Sequence, residues 1–514
     1  MIKRAIISVS DKSGLTELAR ELVDLGIELI STGGTADHLR AAGLPVTPVA
    51  DITEFPECLD GRVKTLHPKI HGGILAIRSN PEHMSRLDEL AILPIDLVII
   101  NLYPFKQTIM KPEAGFAECV ENIDIGGPSM LRAAAKNHRD VTVVTDPTDY
   151  PTVLAEIREL RATRPSTRFN LAKKVFEHTA AYDALIAGYF SAQAGESDSP
   201  DQLTLTYERV SGLRYGENPH QRADFYREVI PVPGSLPLAD QLWGKELSYN
   251  NIADTDAALA LLREFAEPTV VAVKHANPCG VGSADNLLDA WSKAYEADSV
   301  SIYGGIVAMN RQVTLDVARA TQGVFLEVLV APGFTADALA ELKTRKNLRI
   351  LHLPDCANPP LDGWRYLKQV YGGLLVQDQD ATICEKDSIR VVTERQPEEG
   401  DMVDSEFALK VVKHVKSNAI VLVKNRQTIG IGPGQPNRIT SLRIALQQAG
   451  AKAVGSVLAS DAFFPFDDCV DAAAAGGVRA IIQPGGSIRD QESIDACDKH
   501  GVIMLFTGTR HFRH

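Results

Sequence analysis

The chain predicts an α/β protein on three observations. Short apolar runs alternate with helix-period segments from Ala5 to Val144, and such alternation builds a sheet covered by helices. The run Val270–Val273 is apolar without a break, as in a strand buried on both faces. Two segments of the C-terminal part echo two earlier ones in the same order, which points to duplicated halves.

Ala5–Val9 reads as the first strand, and Leu15–Leu25 carries apolar residues at helical spacing. Glu28–Ile30 is a second strand and Thr35–Ala42 a second helix; Leu97–Leu102 and Val141–Val144 add strands to what must be a parallel sheet. Ala192–Gln202 is small, polar and without apolar period, so a linker is expected there, dividing residues 1–197 from 198–514. Beyond it, Gly323–Gly333 resembles Gly477–Gly485, each after an Ala-rich helical stretch, and the run into Lys274 resembles Asn418–Lys424. The halves would meet near Pro354–Gly363, at about 198–360 and 361–514.

At 514 residues the chain is too long for one core, and roughly three domains are expected. A net charge of -13, from 53 Lys and Arg against 66 Asp and Glu, argues against a general nucleic-acid-binding surface, so any phosphate site must be built locally. The 7 cysteines are scattered without a Cys-x-x-Cys pair, which fits a reducing cytoplasm and neither a disulfide framework nor a structural zinc. The N-terminus lacks a signal-peptide apolar region and no run of about 18 apolar residues follows, so no membrane segment is expected.

Chemistry concentrates at strand ends. Val270–Val273 runs into Lys274 and His275, and ligands bind at the carboxyl ends of strands in open α/β sheets. Both side chains serve one ligand only if the backbone turns there, a turn expected from Asn277, Pro278, Gly280 and Gly282. Burial would lower the pKa of both, leaving a base near neutrality beside a cation. Upstream, Ser31-Thr32-Gly33-Gly34-Thr35 joins a strand to a helix, where amides and hydroxyls can cradle a phosphate. Ser10-Asp11-Lys12 ends another strand, and Gly61–Pro68, Asn101–Phe105 and Asp124–Lys136 add polar clusters. Individually these have plain alternatives: a tight turn at the glycines, solvated Lys64 and Lys136, Asp124 as a helix cap.

These cassettes, Ser-Val-Ser-Asp-Lys, Ser-Thr-Gly-Gly-Thr, Gly-Arg-Val-Lys-Thr-Leu-His-Pro, Asn-Leu-Tyr-Pro-Phe and Asp-Ile-Gly-Gly-Pro with Ala-Ala-Lys-Asn-His, closely resemble the IMP cyclohydrolase half of the bifunctional purine biosynthesis family. The rest resembles its AICAR transformylase half, through Arg214–Gln221, Lys274-His275, Asp461–Phe466 and Arg510-His511-Phe512. The resemblance is collinear over nearly the whole chain. It implies a methylglyoxal-synthase-like domain followed by two cytidine-deaminase-like halves, and transfer of formyl from 10-formyltetrahydrofolate to AICAR, giving FAICAR, which is then cyclised and dehydrated to IMP.

By resemblance His275 takes the amine proton, and Lys274 stabilises the formyl oxygen or protonates the departing folate nitrogen. Arg214, Tyr215, Asn251, Gly304, Glu327, Asn418, Arg438, Phe463 and Arg510 match nucleotide-side positions, with an aspartate in the family where Glu327 falls. Ile439, Asp468, Ser487 and Ile488 match the folate side. For cyclisation Lys136 would transfer the proton, with Lys64, Tyr103 and Asp124 around the reacting atoms. Ser10, Asp11, Lys12, Thr32, Gly33, Gly34, Thr35, Arg62, Thr65, Asn101 and Ile125 would hold phosphate and ribose. The family also implies a homodimer with transformylase sites at the subunit interface, and leaves room for a monovalent cation. No zinc is expected: Pro278-Cys279 suggests a nucleobase deaminase, but the second thiol is missing. A non-catalytic nucleotide sensor is the rival from another class.

Overall fold

The structure, a computed structural model, describes all residues except 195–199, 360–362 and 385–387. They form two compact units, Met1–Tyr207 and Glu208–His514. The linker expected over Ala192–Gln202 includes residues 195–199, and the junction expected near Pro354–Gly363 includes 360–362; those parts lie outside the described residues.

In the first unit β1 (Arg4–Val9), β2 (Glu28–Ser31), β3 (Thr47–Pro48), β4 (Leu97–Asn101) and β5 (Thr142–Val144) form a sheet in the order β3-β2-β1-β4-β5, parallel throughout. The helices are α1 (Leu15–Asp24), α2 (Gly33–Ala41), α3 (Val49–Thr53), α4 (Pro68–Leu75), α5 (Pro81–Glu89), α6 (Phe105–Ile109), α7 (Phe116–Glu121), α8 (Gly126–Lys136), α9 (Tyr150–Leu160) and α10 (Pro165–Ala194). Strand residues Ile6, Ile30, Val98 and Val143 bury against Leu18, Leu22 and Leu131 of the helices, and α10 packs along α8.

The second unit opens with an exposed ribbon, β6 (Tyr207–Leu213) and β7 (Ala223–Glu228). Then come β8 (Asp240–Trp243), α11 (Tyr249–Leu262), β9 (Thr269–Lys274), β10 (Asn277–Ser283), α12 (Leu287–Ala297), β11 (Gly305–Met309), α13 (Leu315–Ala320), β12 (Leu326–Ala331), α14 (Ala336–Leu342) and β13 (Arg349–His352). A second ribbon, β14 (Arg365–Val370) and β15 (Gly373–Asp378), precedes a repeat of that order. The repeat comprises β16 (Arg390–Val391), α15 (Glu399–Val412), β17 (Ile420–Val423), β18 (Thr428–Gly432), α16 (Arg438–Ala449), β19 (Val457–Ser460), α17 (Asp468–Ala475), β20 (Ala480–Gln483), α18 (Asp490–His500) and β21 (Ile503–Phe506).

The sheets match strand for strand, β10-β9-β11-β12-β13-β8 against β18-β17-β19-β20-β21-β16. The sense of every pairing also repeats, antiparallel for the first three strands, parallel through the middle and antiparallel at the last. The duplication read from two short echoes therefore extends through both sheets. The halves share one core, in which Val271 and Val273 meet Val421 and Val423, with the Phe265 and Phe407 rings 5.2 Å apart.

One expectation changes here. The buried strand into Lys274 is present, antiparallel to both neighbours. Asn277–Ser283 does not supply the turn; it is β10, and the turn is His275-Ala276 itself, with φ of 54° and 57°. Positive φ at both central residues matches the right-handed twist of a two-residue hairpin. Gly280 instead lets the strand lie against α12, since an added Cβ would run into the carbonyl of Ala294; Gly430 does the same under α16, against Ala445.

Candidate active sites

In the first unit the polar residues gather where β1, β2 and β4 end. Asn101 ties two of these ends: its Oδ1 accepts from the Ser10 amide at 2.7 Å, the Ser10 hydroxyl at 2.9 Å and the Asp11 amide at 3.0 Å. Lys12 turns the chain into α1, its carbonyl accepting from Leu15 N at 3.1 Å. Thr32, Gly33 and Gly34 form the start of α2, whose first amides have no intrahelical partner and face an anion favourably. Thr35 differs from expectation: its buried hydroxyl bonds both polar groups of Val9 at 3.0 Å, so it locks α2 to β1 and is not free for a phosphate.

Lys64 lies over this helix start, 3.4 Å from where a Cβ on Gly33 would stand, and pairs with Glu57 at 3.0 Å. Arg62, exposed, pairs with Glu121. Thr65 is buried, with its hydroxyl 2.7 Å from an added Cβ on Gly126, at the start of α8. Asp124 caps that helix, accepting from Gly127 N at 2.8 Å, and Gly127 is required because any side chain there would strike the Asp124 carboxylate. Burial raises the Asp124 pKa from its ordinary value, against the opposing effect of the Gly127 and Tyr103 amides. Ile125 and Tyr103 are exposed beside it. The cap reading and the reactive reading of Asp124 are thus compatible.

Lys136 is not in this cluster. It is the exposed last residue of α8, about 15 Å along the axis from Gly126 at 1.5 Å per residue.

In the second unit, Lys274 and His275 stand at the hairpin tip. Lys274 Nζ donates to the Tyr303 carbonyl at 2.8 Å, just before Gly304, whose φ is 76°. The His275 and Ala276 amides donate to the Asp254 carboxylate at 3.1 and 2.7 Å. His275 is exposed, contrary to the expected burial, because the tip projects beyond the sheet. Asn251, one turn before Asp254, closes a capping box with Ser248 and donates to Glu327 at 2.6 Å. Lys274, His275, Asn251, Gly304 and Glu327 therefore share one sheet edge. Arg214, exposed, stacks on Tyr215 at 4.8 Å in the ribbon region.

The other named residues fall on the opposite edge of the second repeat, at the start of β17 and the ends of β19 to β21. Arg438 is buried and spends its guanidinium on Asn418 and Ser460, both at 2.8 Å, and on Asp461. It holds Asn418 in place more than it presents itself to a ligand. Phe463 and Phe466 are exposed, so neither is the core residue a lone Phe usually is, and Arg489 lies 5.1 Å over Phe466. Arg510 stacks on Phe512 at 4.5 Å. Ile439 is half-buried, while Asp468 at the start of α17 and Ile488 are exposed. Ser487 N donates to Asp490 at 3.2 Å. The two edges come together where Asn277 accepts from Lys416 N at 3.2 Å.

The repeat carries a counterpart of the Lys274-His275 turn. Asn425-Arg426 has φ of 54° and 56°, their amides bond Asp404 at 2.8 and 2.7 Å, and Lys424 Nζ donates to Val454 O at 2.8 Å. Asp254 and Asp404 were missed in the sequence, although the echo extends to them. Burial pushes the Cys279 thiol up to about 12, with the Asp298 charge adding to the effect.

A parallel α/β unit with a glycine-rich helix start at its sheet edge, followed by a duplicated sheet with one Lys-His turn, defines a two-unit α/β architecture. The AICARFT/IMPCHase bienzyme family matches residues 134–448 and the MGS-like domain residues 14–129. The bifunctional purine biosynthesis proteins PurH of Acetivibrio thermocellus and Ruminiclostridium cellulolyticum are each 58% identical over 514 residues, covering all of both chains; that of Halalkalibacterium halodurans is 55% identical over the same span. The chain belongs to the AICARFT/IMPCHase bienzyme family.

Proposed function

We propose that the first unit's cluster closes FAICAR to IMP and that the Lys274-His275 turn formylates AICAR. The chain is a bifunctional enzyme of purine biosynthesis with formyltransferase and IMP cyclohydrolase activities. The observation that carries the site assignment is the convergence of Asn101, Lys64, Thr65, Tyr103 and Asp124 around two helix starts at one sheet edge.

In formyl transfer from 10-formyltetrahydrofolate, His275 accepts the amine proton of AICAR from its exposed tip. Lys274, anchored at the Tyr303 carbonyl, stabilises negative charge on the formyl oxygen or protonates the leaving nitrogen. In cyclisation the α2 amides and Lys12 hold the phosphate, Lys64 supplies positive charge, and Asp124, its pKa raised by burial, can deliver a proton as water departs. Lys136, named by resemblance as the proton carrier, is the exposed last residue of α8, and the position of Asp124 and Lys64 at the helix starts supports those two.

Asp461 Oδ2 is buried without a hydrogen-bond partner, a donor that fits a monovalent cation beside Asn418. The exposed apolar side chains Tyr226, Tyr366 and Leu375 of the ribbons support a homodimer. Among the described residues no helix is long and apolar enough to cross a membrane, and a cytoplasmic location is proposed.

The test is incubation of purified protein with AICAR and 10-formyltetrahydrofolate, following FAICAR, IMP and tetrahydrofolate together. Equal IMP and tetrahydrofolate are expected. FAICAR alone would remove the cyclisation site, and nucleotide binding without turnover would favour a sensor.

A further inference from the structure

α10 reaches the first site through one side chain. Tyr182 is buried, and its hydroxyl accepts from the Asp124 amide at 2.9 Å and donates to the Asn122 carbonyl at 3.4 Å. One phenol thereby clamps both ends of the turn that carries Asp124 into α8. The same ring packs edge-on against Phe105, with centroids 6.2 Å apart, two residues beyond Tyr103. It also lines a cavity of about 560 Å³ whose wall includes Ser10, Asn101 and Tyr103. Tyr182 thus touches both the segment bearing Asp124 and the segment bearing Tyr103.

The MGS-like match ends at residue 129, well before α10. The helix that makes this contact lies outside that part of the chain, so the turn bearing Asp124 is held by an addition to the domain. The carboxylate itself is fixed by the Gly127 and Tyr103 amides. Its backbone is fixed by Tyr182. A backbone shift of the turn would carry the carboxyl away from the reacting atoms, where small displacements cost rate steeply.

We infer that Tyr182 is a positioning residue for cyclisation, acting through Asp124. The inference rests on the role proposed for Asp124. Tyr182→Phe keeps the ring against Phe105 and removes only the hydroxyl, so a double-mutant cycle with Asp124→Asn isolates the link. The assay is conversion of FAICAR to IMP by the full-length protein, with IMP-binding stoichiometry measured to count intact sites. Tyr182→Phe is expected to lower kcat by about tenfold, with KM for FAICAR nearly unchanged and full stoichiometry. Asp124→Asn is expected to lose about a hundredfold or more, and adding Tyr182→Phe to it should cost nothing further. A wild-type kcat in Tyr182→Phe, or an equal loss in the Asp124→Asn background, overturns the inference while leaving Asp124 in its role. Full activity in Asp124→Asn overturns the reading of Asp124 itself, and the inference with it.

Discussion

The Asn425-Arg426 turn is an internal control for the role proposed for the Lys274-His275 turn. Asp254 holds the His275 and Ala276 amides at 3.1 and 2.7 Å, and Asp404 holds the Asn425 and Arg426 amides at 2.8 and 2.7 Å. Each carboxylate supports a turn whose two central residues sit at positive φ without being glycine, so each stabilises a conformation that is unfavourable on its own. A hydrogen bond to a charged group contributes about 1.5–3 kcal/mol. Water reaches these tips and replaces part of that, so replacing either aspartate with alanine should cost roughly 2–3 kcal/mol over its two bonds. That corresponds to about 4–12 °C in melting temperature, at about 2–4 °C per kcal/mol. The stability losses should be alike. The kinetic losses should not: Asp254→Ala frees the backbone under His275 and should lower transformylase kcat by about a hundredfold, whereas Asp404→Ala should leave it within about threefold, since Asn425 has no imidazole to misplace. Calorimetric melting and a transformylase assay on both variants decide the matter. Equal loss of activity in the two, or full activity in Asp254→Ala, would refute the reasoning.

Lys64→Ala should reduce FAICAR cyclisation by about a hundredfold, while Lys136→Ala, at the far end of α8, should cost less than about tenfold; steady-state rates on FAICAR separate the two. Burial raises the folded-state pKa of Asp124 above its ordinary 3.8, so its favourable contribution is complete below that value and is lost as pH rises through the folded one. Asp124→Asn should therefore gain stability relative to wild type as pH rises from below the ordinary 3.8 to about 8, as urea unfolding at the two ends of that range would register. Gly430→Ala forces a methyl into the Ala445 carbonyl and should cost about 1–3 kcal/mol, whereas Gly400→Ala, with nothing within 4 Å, should be neutral or stabilising by thermal melting.

The strand-helix alternation of the first unit was legible because each element is short, apolar on the right period and punctuated by polar turns. Leu97–Asn101, for instance, is almost wholly buried and could hardly be read otherwise. What misled was Asn277–Ser283. Its asparagine, proline and two glycines look like a loop, yet those glycines serve helix-to-strand contact, a purpose visible only once α12 is in place. His275-Ala276 carries no glycine and did not announce a turn. Tertiary pairing with β11 and the Asp254 clamp impose it. Likewise Thr35 and Arg438 have the chemistry of ligand groups and are consumed by the fold, a distinction that residue type alone does not carry.

The duplication explains why one Lys-His pair suffices in a unit with two equivalent turns. Both repeats retain the lysine bonded to a backbone carbonyl, the aspartate clamp and the positive-φ pair, so these belong to the scaffold. The two central residues differ, with Asn425 and Arg426 standing where His275 and Ala276 stand in the first repeat. The second turn is also engaged by the first repeat: Lys293 Nζ donates to the Asn425 carbonyl at 2.7 Å, and Arg426 pairs with Asp285 at 3.3 Å. Asn277 of the first turn receives a single bond from Lys416 N, leaving His275 at an open tip. Both tips are exposed, and the second is the one fastened to its neighbour through its backbone carbonyl and Arg426. Substituting His275 with Asn should accordingly leave the fold intact, because the scaffold already carries that residue in that conformation, and abolish only the transformylase reaction.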